Sequence, residues 1–151
     1  MKKILIAIPT NKYIEPDTYK AIYDLTAPEG FKVEFQFFYG YQIDQIRNLI
    51  ASWAEHYDYL FSVDSDIAFD KDTLVKMVKH DVDIVSGLYI QRIPGTHSLE
   101  IYEAGPNGGS RRIPFENCKD NPFFEIVACG MGCALIKGEV FRKVGYPYFT
   151  Y

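Results

Sequence analysis

A chain of 151 residues is the length of one domain and can bury its own core without disulfide or metal staples. Apolar residues make up 48% and aromatics 16%, 12 of them tyrosines, so the surplus rings can fill a core or offer platforms to sugars and bases. A net charge of -4 is not the basic footprint of a nucleic-acid binder, and no apolar run reaches the ~18 residues of a membrane span.

Strand and helix signals alternate along the chain. Ile4-Leu5-Ile6-Ala7-Ile8 is too short for a signal-peptide core and no small-residue cleavage site follows it, so it reads as a strand buried on both faces. Pro9-Thr10-Asn11 breaks that strand. Pro16-Asp17 through Leu25 reads as a short helix with proline in its first turn. Ala27-Pro28-Glu29-Gly30 is a turn, and Phe31 to Phe38, rich in aromatic and β-branched residues, is a second strand. The clearest periodicity follows. Ile43, Ile46, Ile50, Trp53 and Tyr57 form one apolar helical stripe, with Asp44, Arg47 and Asn48 beside or opposite it.

Tyr59 to Val63 is a third strand, delivering Asp64-Ser65-Asp66. Asp70 to His80 is a helix with Asp70 as its cap, and Asp83 to Tyr89 a further strand. From Gln91 to Asn121 turn chemistry dominates, with Glu100 to Ala104 as a short strand within it. Phe123 to Ala128 and Cys133 to Ile136 read as strands around a glycine turn, and Gly138 to Val144 as a short helix. No repeat or linker interrupts the order, so residues 1–151 are expected to form a single domain. The alternation predicts an α/β layered fold, with a mixed sheet because its last strands follow loops instead of helices. Three cysteines, an odd number, fit a reducing compartment and a cytoplasmic location; Cys129 and Cys133 lack neighbours to complete a zinc set, so free thiols are expected.

Asp64-Ser65-Asp66 carries the chemistry. Carboxylates two apart at a strand's exit lie on one side, and a hard divalent cation wants oxygen ligands. Two adjacent carboxylates repel unless a cation or proton is shared. The competing reading is a solvated strand end before a helix. Ligands in open α/β sheets bind outside the carboxyl ends of strands, where Pro9-Thr10-Asn11, Asp64-Ser65-Asp66 and Gly87-Leu88-Tyr89 all fall. Arg47 can meet phosphate oxygens or pair with Asp44 one turn earlier.

Gln42-Ile43-Asp44-Gln45-Ile46-Arg47-Asn48-Leu49-Ile50, followed by Asp58-Tyr59-Leu60-Phe61-Ser62-Val63-Asp64-Ser65-Asp66-Ile67, resembles the family 2 glycosyltransferases: an Arg-Asn on a helix, then an apolar strand ending in a DxD motif. Ile8-Pro9-Thr10, Asp83 to Arg92 and Gly130 to Ile136 resemble that family's nucleotide loop, later strand and glycine turn. The resemblance implies the three-layer, Rossmann-like GT-A fold with a mostly parallel, mixed central sheet. It implies a nucleotide-diphospho-sugar donor, a glycan or other hydroxyl acceptor, and an inverting transfer assisted by a general base. Asp66 would ligate Mn2+ or Mg2+, and Asp64 would contact the ribose or the metal. Arg47 would meet the phosphates, Pro9, Thr10 and Asn11 would border the nucleoside beside Ser65, and Gly130 and Met131 would approach the sugar or acceptor.

Two departures stand out. Phe35-Gln36-Phe37-Phe38-Tyr39-Gly40 offers no acid for the base, which leaves the choice of nucleotide open. The family's acidic motif with the catalytic base would follow the short helix, and Tyr148-Phe149-Thr150-Tyr151 precedes any such motif, so the chain reads as shortened there. Glu103, Asp120, Glu125 and Glu139 sit in no matching motif, and no base is assigned. Two other readings stay open: a sugar nucleotidyltransferase, although Pro9-Thr10-Asn11-Lys12 is not its glycine-rich loop, and a non-catalytic sugar- or protein-binding module.

Overall fold

The computed structural model describes residues 1–91, 94–95, 98–120 and 123–150. Arg92, Asn121 and Tyr151, which close segments singled out above, lie outside the described residues. The chain gathers into two compact units, Met1–Val85 with Gly132–Tyr151, and Ser86–Met131.

The first unit is built on a five-stranded mixed sheet in the order β2-β1-β3-β8-β4. Its centre is β1 (Lys2–Thr10) and β3 (Tyr59–Val63), whose apolar runs are buried from Ile4 to Thr10 and throughout β3. β1 pairs in parallel with β2 (Phe31–Tyr39) on one side and with β3 on the other. β8 (Cys133–Lys137) then pairs antiparallel with β3, the mixed arrangement expected of a strand that arrives from a loop. β4 (Ile84–Ser86) completes the order at the far edge. Phe61, Ile4, Leu5, Ile6, Ile8, Leu60 and Val63 are fully buried, and each large one contributes about 1.5–3 kcal/mol relative to exposure. Around the sheet lie α1 (Pro16–Tyr23), α2 (Ile43–Ala54), α3 (Thr73–Lys79) and α4 (Gly138–Val144). None of the helices among the described residues is long and apolar enough to cross a membrane.

Several local readings change. β1 does not break at Pro9; it pairs with β2 as far as Thr10↔Tyr39. Pairing with β3 stops at Ala7↔Ser62, so Pro9 lies where β1 has become an edge, and a residue without N–H is tolerated there. The cap position of α3 belongs to Asp72, not Asp70: the Asp70 carbonyl accepts the Thr73 N–H (3.0 Å) in a turn ahead of the helix. Tyr57 falls beyond the end of α2, where its hydroxyl donates to Glu34 Oε2 (2.7 Å). The buried face of α2 is Ile46, Ile50, Ala51 and Ala54 together with Asn48; Trp53 remains 45% exposed, edge-on to Phe38.

The second unit carries a three-stranded antiparallel sheet in the order β6-β5-β7, from β5 (Ile101–Ala104), β6 (Ser110–Arg112) and β7 (Ala128–Cys129). Leu99, Ile101, Ile113 and Cys118 form its apolar cluster, with Phe115, Phe124, Ile126 and Cys129 packed against it. The stretch read as turn chemistry thus folds around a cluster of its own. The strand expected from Phe123 to Ala128 is reduced to Ala128–Cys129, which pair with Tyr102 and Ile101 of β5. The three cysteines are free, Cys118 and Cys133 buried and Cys129 half-buried.

Candidate functional site

Parallel pairing of β1 with β2 and β3 puts three carboxyl ends on one rim of the first unit. The segments leaving β1 and β3 are tied together there by the Glu15 N–H donating to the Ser65 carbonyl (2.9 Å). β8 runs the other way and so begins at this rim, where the Gly132 carbonyl accepts the Asp64 N–H (3.0 Å). β3 ends at Val63, and the Ile67 N–H donates to the Asp64 carbonyl (3.2 Å). Asp64 and Asp66 therefore owe their positions to a turn and not to the strand pleat.

α2 follows β2 and so opens at the same rim, which puts Arg47, in its second turn, beside the turn after β3. Arg47 Nη2 stands 3.5 Å from Asp64 Oδ1, an ion pair longer than a hydrogen bond. Arg47 Nε is buried with no hydrogen-bond partner among the described residues. The Asp64 carboxyl is held above its ordinary pKa chiefly by burial; the Arg47 charge opposes that rise and the Asp66 charge adds to it. Asp66 is exposed. Asp44, the other partner open to Arg47, instead lines a groove of about 770 Å³ with Gln45, Asn48, Leu49, Ser52 and residues of the 146–150 segment.

The remaining residues divide by what holds them. Pro9 and Thr10 are buried in β1, and the Thr10 hydroxyl donates to the Tyr13 carbonyl (2.7 Å), closing the turn that exposes Asn11. Gly130 and Met131 belong to the second unit; a Cβ on Gly130 would come within 2.1 Å of the Tyr89 hydroxyl, so the Tyr89 side chain would have to move to admit any other residue there. Glu103 pairs with Arg111 (2.8 Å) and Glu139 with Lys143 (3.5 Å), while Asp120 and Glu125 are exposed.

Asn48 does something the sequence did not disclose. Its Nδ2 donates to the Asp44 carbonyl (3.0 Å) and the Phe149 carbonyl (2.7 Å), and its Oδ1 accepts the N–H groups of Tyr148 (2.8 Å) and Phe149 (3.1 Å). An asparagine in a helix interior competes with the helix backbone, and that misfit was the available signal of a distant partner. Gly138 was also missed: a Cβ there would lie 2.0 Å from the Tyr57 carbonyl oxygen.

No protein-family model matches the sequence, and no curated protein matches it. Among solved structures the fold has a counterpart. The chain is similar to A197 from STIV. That crystal structure matches with a TM-score of 0.61 and 18% identity, over 98% of this chain and 71% of the other. A likeness at that identity concerns the fold, an α/β arrangement around a mixed sheet.

Chemically, the rim offers two carboxylates and a guanidinium. Among the described residues no three His, Cys, Asp or Glu side chains gather as a protein-only metal cage. Two carboxylates are what a cation needs when phosphate oxygens and water supply its other ligands.

Proposed function

We propose that this chain is a glycosyltransferase of the GT-A type, binding a nucleotide-diphospho-sugar with Mn2+ or Mg2+ and directing the sugar to an acceptor hydroxyl. The observation that carries the reading is Arg47 brought to within 3.5 Å of Asp64 at the carboxyl rim, with its Nε buried and without an acceptor among the described residues. Guanidinium is suited to phosphate oxygens, so Arg47 beside the two carboxylates favours a phosphate-bearing ligand there. Asp66 and Asp64 would hold the cation, which when bound supplies Lewis-acid stabilisation of the leaving diphosphate. Arg47 orients that diphosphate, and the turn from Thr10 to Glu15, tied to Ser65, forms the wall next to the nucleoside.

Thermal unfolding tests the reading. Nucleoside diphosphates are expected to raise the melting temperature only with Mn2+ or Mg2+ present, by about 2.7 kcal/mol of linkage at a hundredfold excess over Kd. Asp66→Ala is expected to abolish the shift. A shift that ignores the metal, or one that survives in Asp66→Ala, overturns the proposed site.

A further inference from the structure

The Arg47–Asp64 pair is incomplete on both sides. A guanidinium and a carboxylate at full strength meet through two parallel N–H···O bonds of about 2.7–2.9 Å. Here a single nitrogen, Nη2, stands 3.5 Å from a single oxygen, Oδ1. Nε, the nitrogen that would complete a fork, is buried with no acceptor among the described residues. The helix holds Arg47 close enough to offset the charge of Asp64 but leaves its Nε without an acceptor among the described residues.

The same arrangement resists each half of a metal–phosphate ligand taken alone. A divalent cation approaching Asp64 meets the positive guanidinium already beside it. A diphosphate approaching Arg47 meets the Asp64 and Asp66 carboxylates. When both arrive together, each finds a partner of opposite charge.

We propose that Arg47 is an exchangeable counter-ion, which pairs with Asp64 until a metal-bound diphosphate arrives, then yields Asp64 to the cation and takes the phosphate oxygens itself. The inference rests on the donor-binding reading above and adds the order of events: metal and diphosphate bind in concert, each weakly without the other. No bond is made or broken; only ionic partners change.

The test measures Mn2+ binding to the full chain by loss of the free-ion electron paramagnetic resonance signal, alone and with UDP or GDP. Wild type is expected to bind Mn2+ at least tenfold more tightly with the nucleotide than without it. Arg47→Gln, which removes the resident charge, is expected to bind Mn2+ alone at least tenfold more tightly than wild type and to lose most of the gain from nucleotide. Arg47→Lys keeps the charge but not the fork, and is expected to hold Mn2+ alone as weakly as wild type.

If wild type shows the coupling and Arg47→Gln leaves Mn2+-alone affinity unchanged or weaker, the counter-ion role is overturned while the donor site stands. If wild type shows no nucleotide-dependent Mn2+ binding, the donor site falls and this inference with it. A second readout needs no variant. The Arg47 Nε–H resonance of wild type should move when Mg2+ and nucleoside diphosphate are added together and stay in place with Mg2+ alone; movement with Mg2+ alone, or none with both, contradicts the exchange.

Discussion

Replacing Asn48 by alanine probes the contact between α2 and the 146–150 segment. The change deletes four hydrogen bonds, one of them to Asp44 in the same helix and three to the backbone of Tyr148 and Phe149. At about 1 kcal/mol net for each bond to the segment, the loss is about 3 kcal/mol. Alanine returns about 0.5 kcal/mol of helix propensity, and lifting the segment lets its freed backbone groups hydrate. The net destabilisation should be about 2 kcal/mol, or about 4–8 °C in melting temperature for a chain of this size. Native-state amide exchange reads the cause: Tyr148 and Phe149 should lose the full ~3 kcal/mol of their bonds to Asn48, roughly a hundredfold or more in protection, while the buried amides of β3 lose only the global ~2 kcal/mol, roughly thirtyfold. Unchanged protection at Tyr148 and Phe149 would refute the clamp, whatever happens to the melting temperature.

Gly138→Ala should cost about 3 kcal/mol, read as a lower urea midpoint, because its Cβ meets the Tyr57 and Ala54 carbonyl oxygens at 2.0 and 2.8 Å and backbone cannot swing aside. A midpoint equal to wild type would mean that α4 can shift freely. At alkaline pH, Tyr57 supplies a signed expectation. Its hydrogen bond to Glu34, aided by burial, pushes the phenol from the ordinary 10.0 up to about 12. The fold therefore favours the neutral phenol, and that contribution is whole below pH 10.0 and lost as pH rises toward about 12. Stability should fall less steeply over this window in Tyr57→Phe than in wild type, and equal slopes contradict the assignment.

What the sequence disclosed was governed by the length of its regular patterns. β1, β2, α2 and β3 have runs long enough for period and composition to speak, and the antiparallel entry of β8 followed from a strand reached through a loop. In the second unit only β5 was legible, as the short strand read from Glu100 to Ala104; β6 and β7 are 3 and 2 residues long, and the cluster joins residues from Leu99 to Cys129. At the rim, Asp64 was picked out for its place after an apolar strand. The partner of Arg47 was ambiguous, since Asp44 is one turn from it in sequence and Asp64 is reached only through the packing of α2 beside β3. Asn48 shows the same difficulty: its partners lie about a hundred residues away, and no local pattern encodes them.

The most direct test of the donor site is a crystal grown with Mn2+ and UDP or GDP, with anomalous scattering collected at the manganese edge. One manganese peak is expected within about 2.5 Å of carboxylate oxygens of Asp66, Asp64 or both, next to the diphosphate, with the Arg47 guanidinium turned from Asp64 onto a phosphate oxygen. Manganese bound elsewhere, or nucleotide bound away from Asp64 and Asp66, would contradict it.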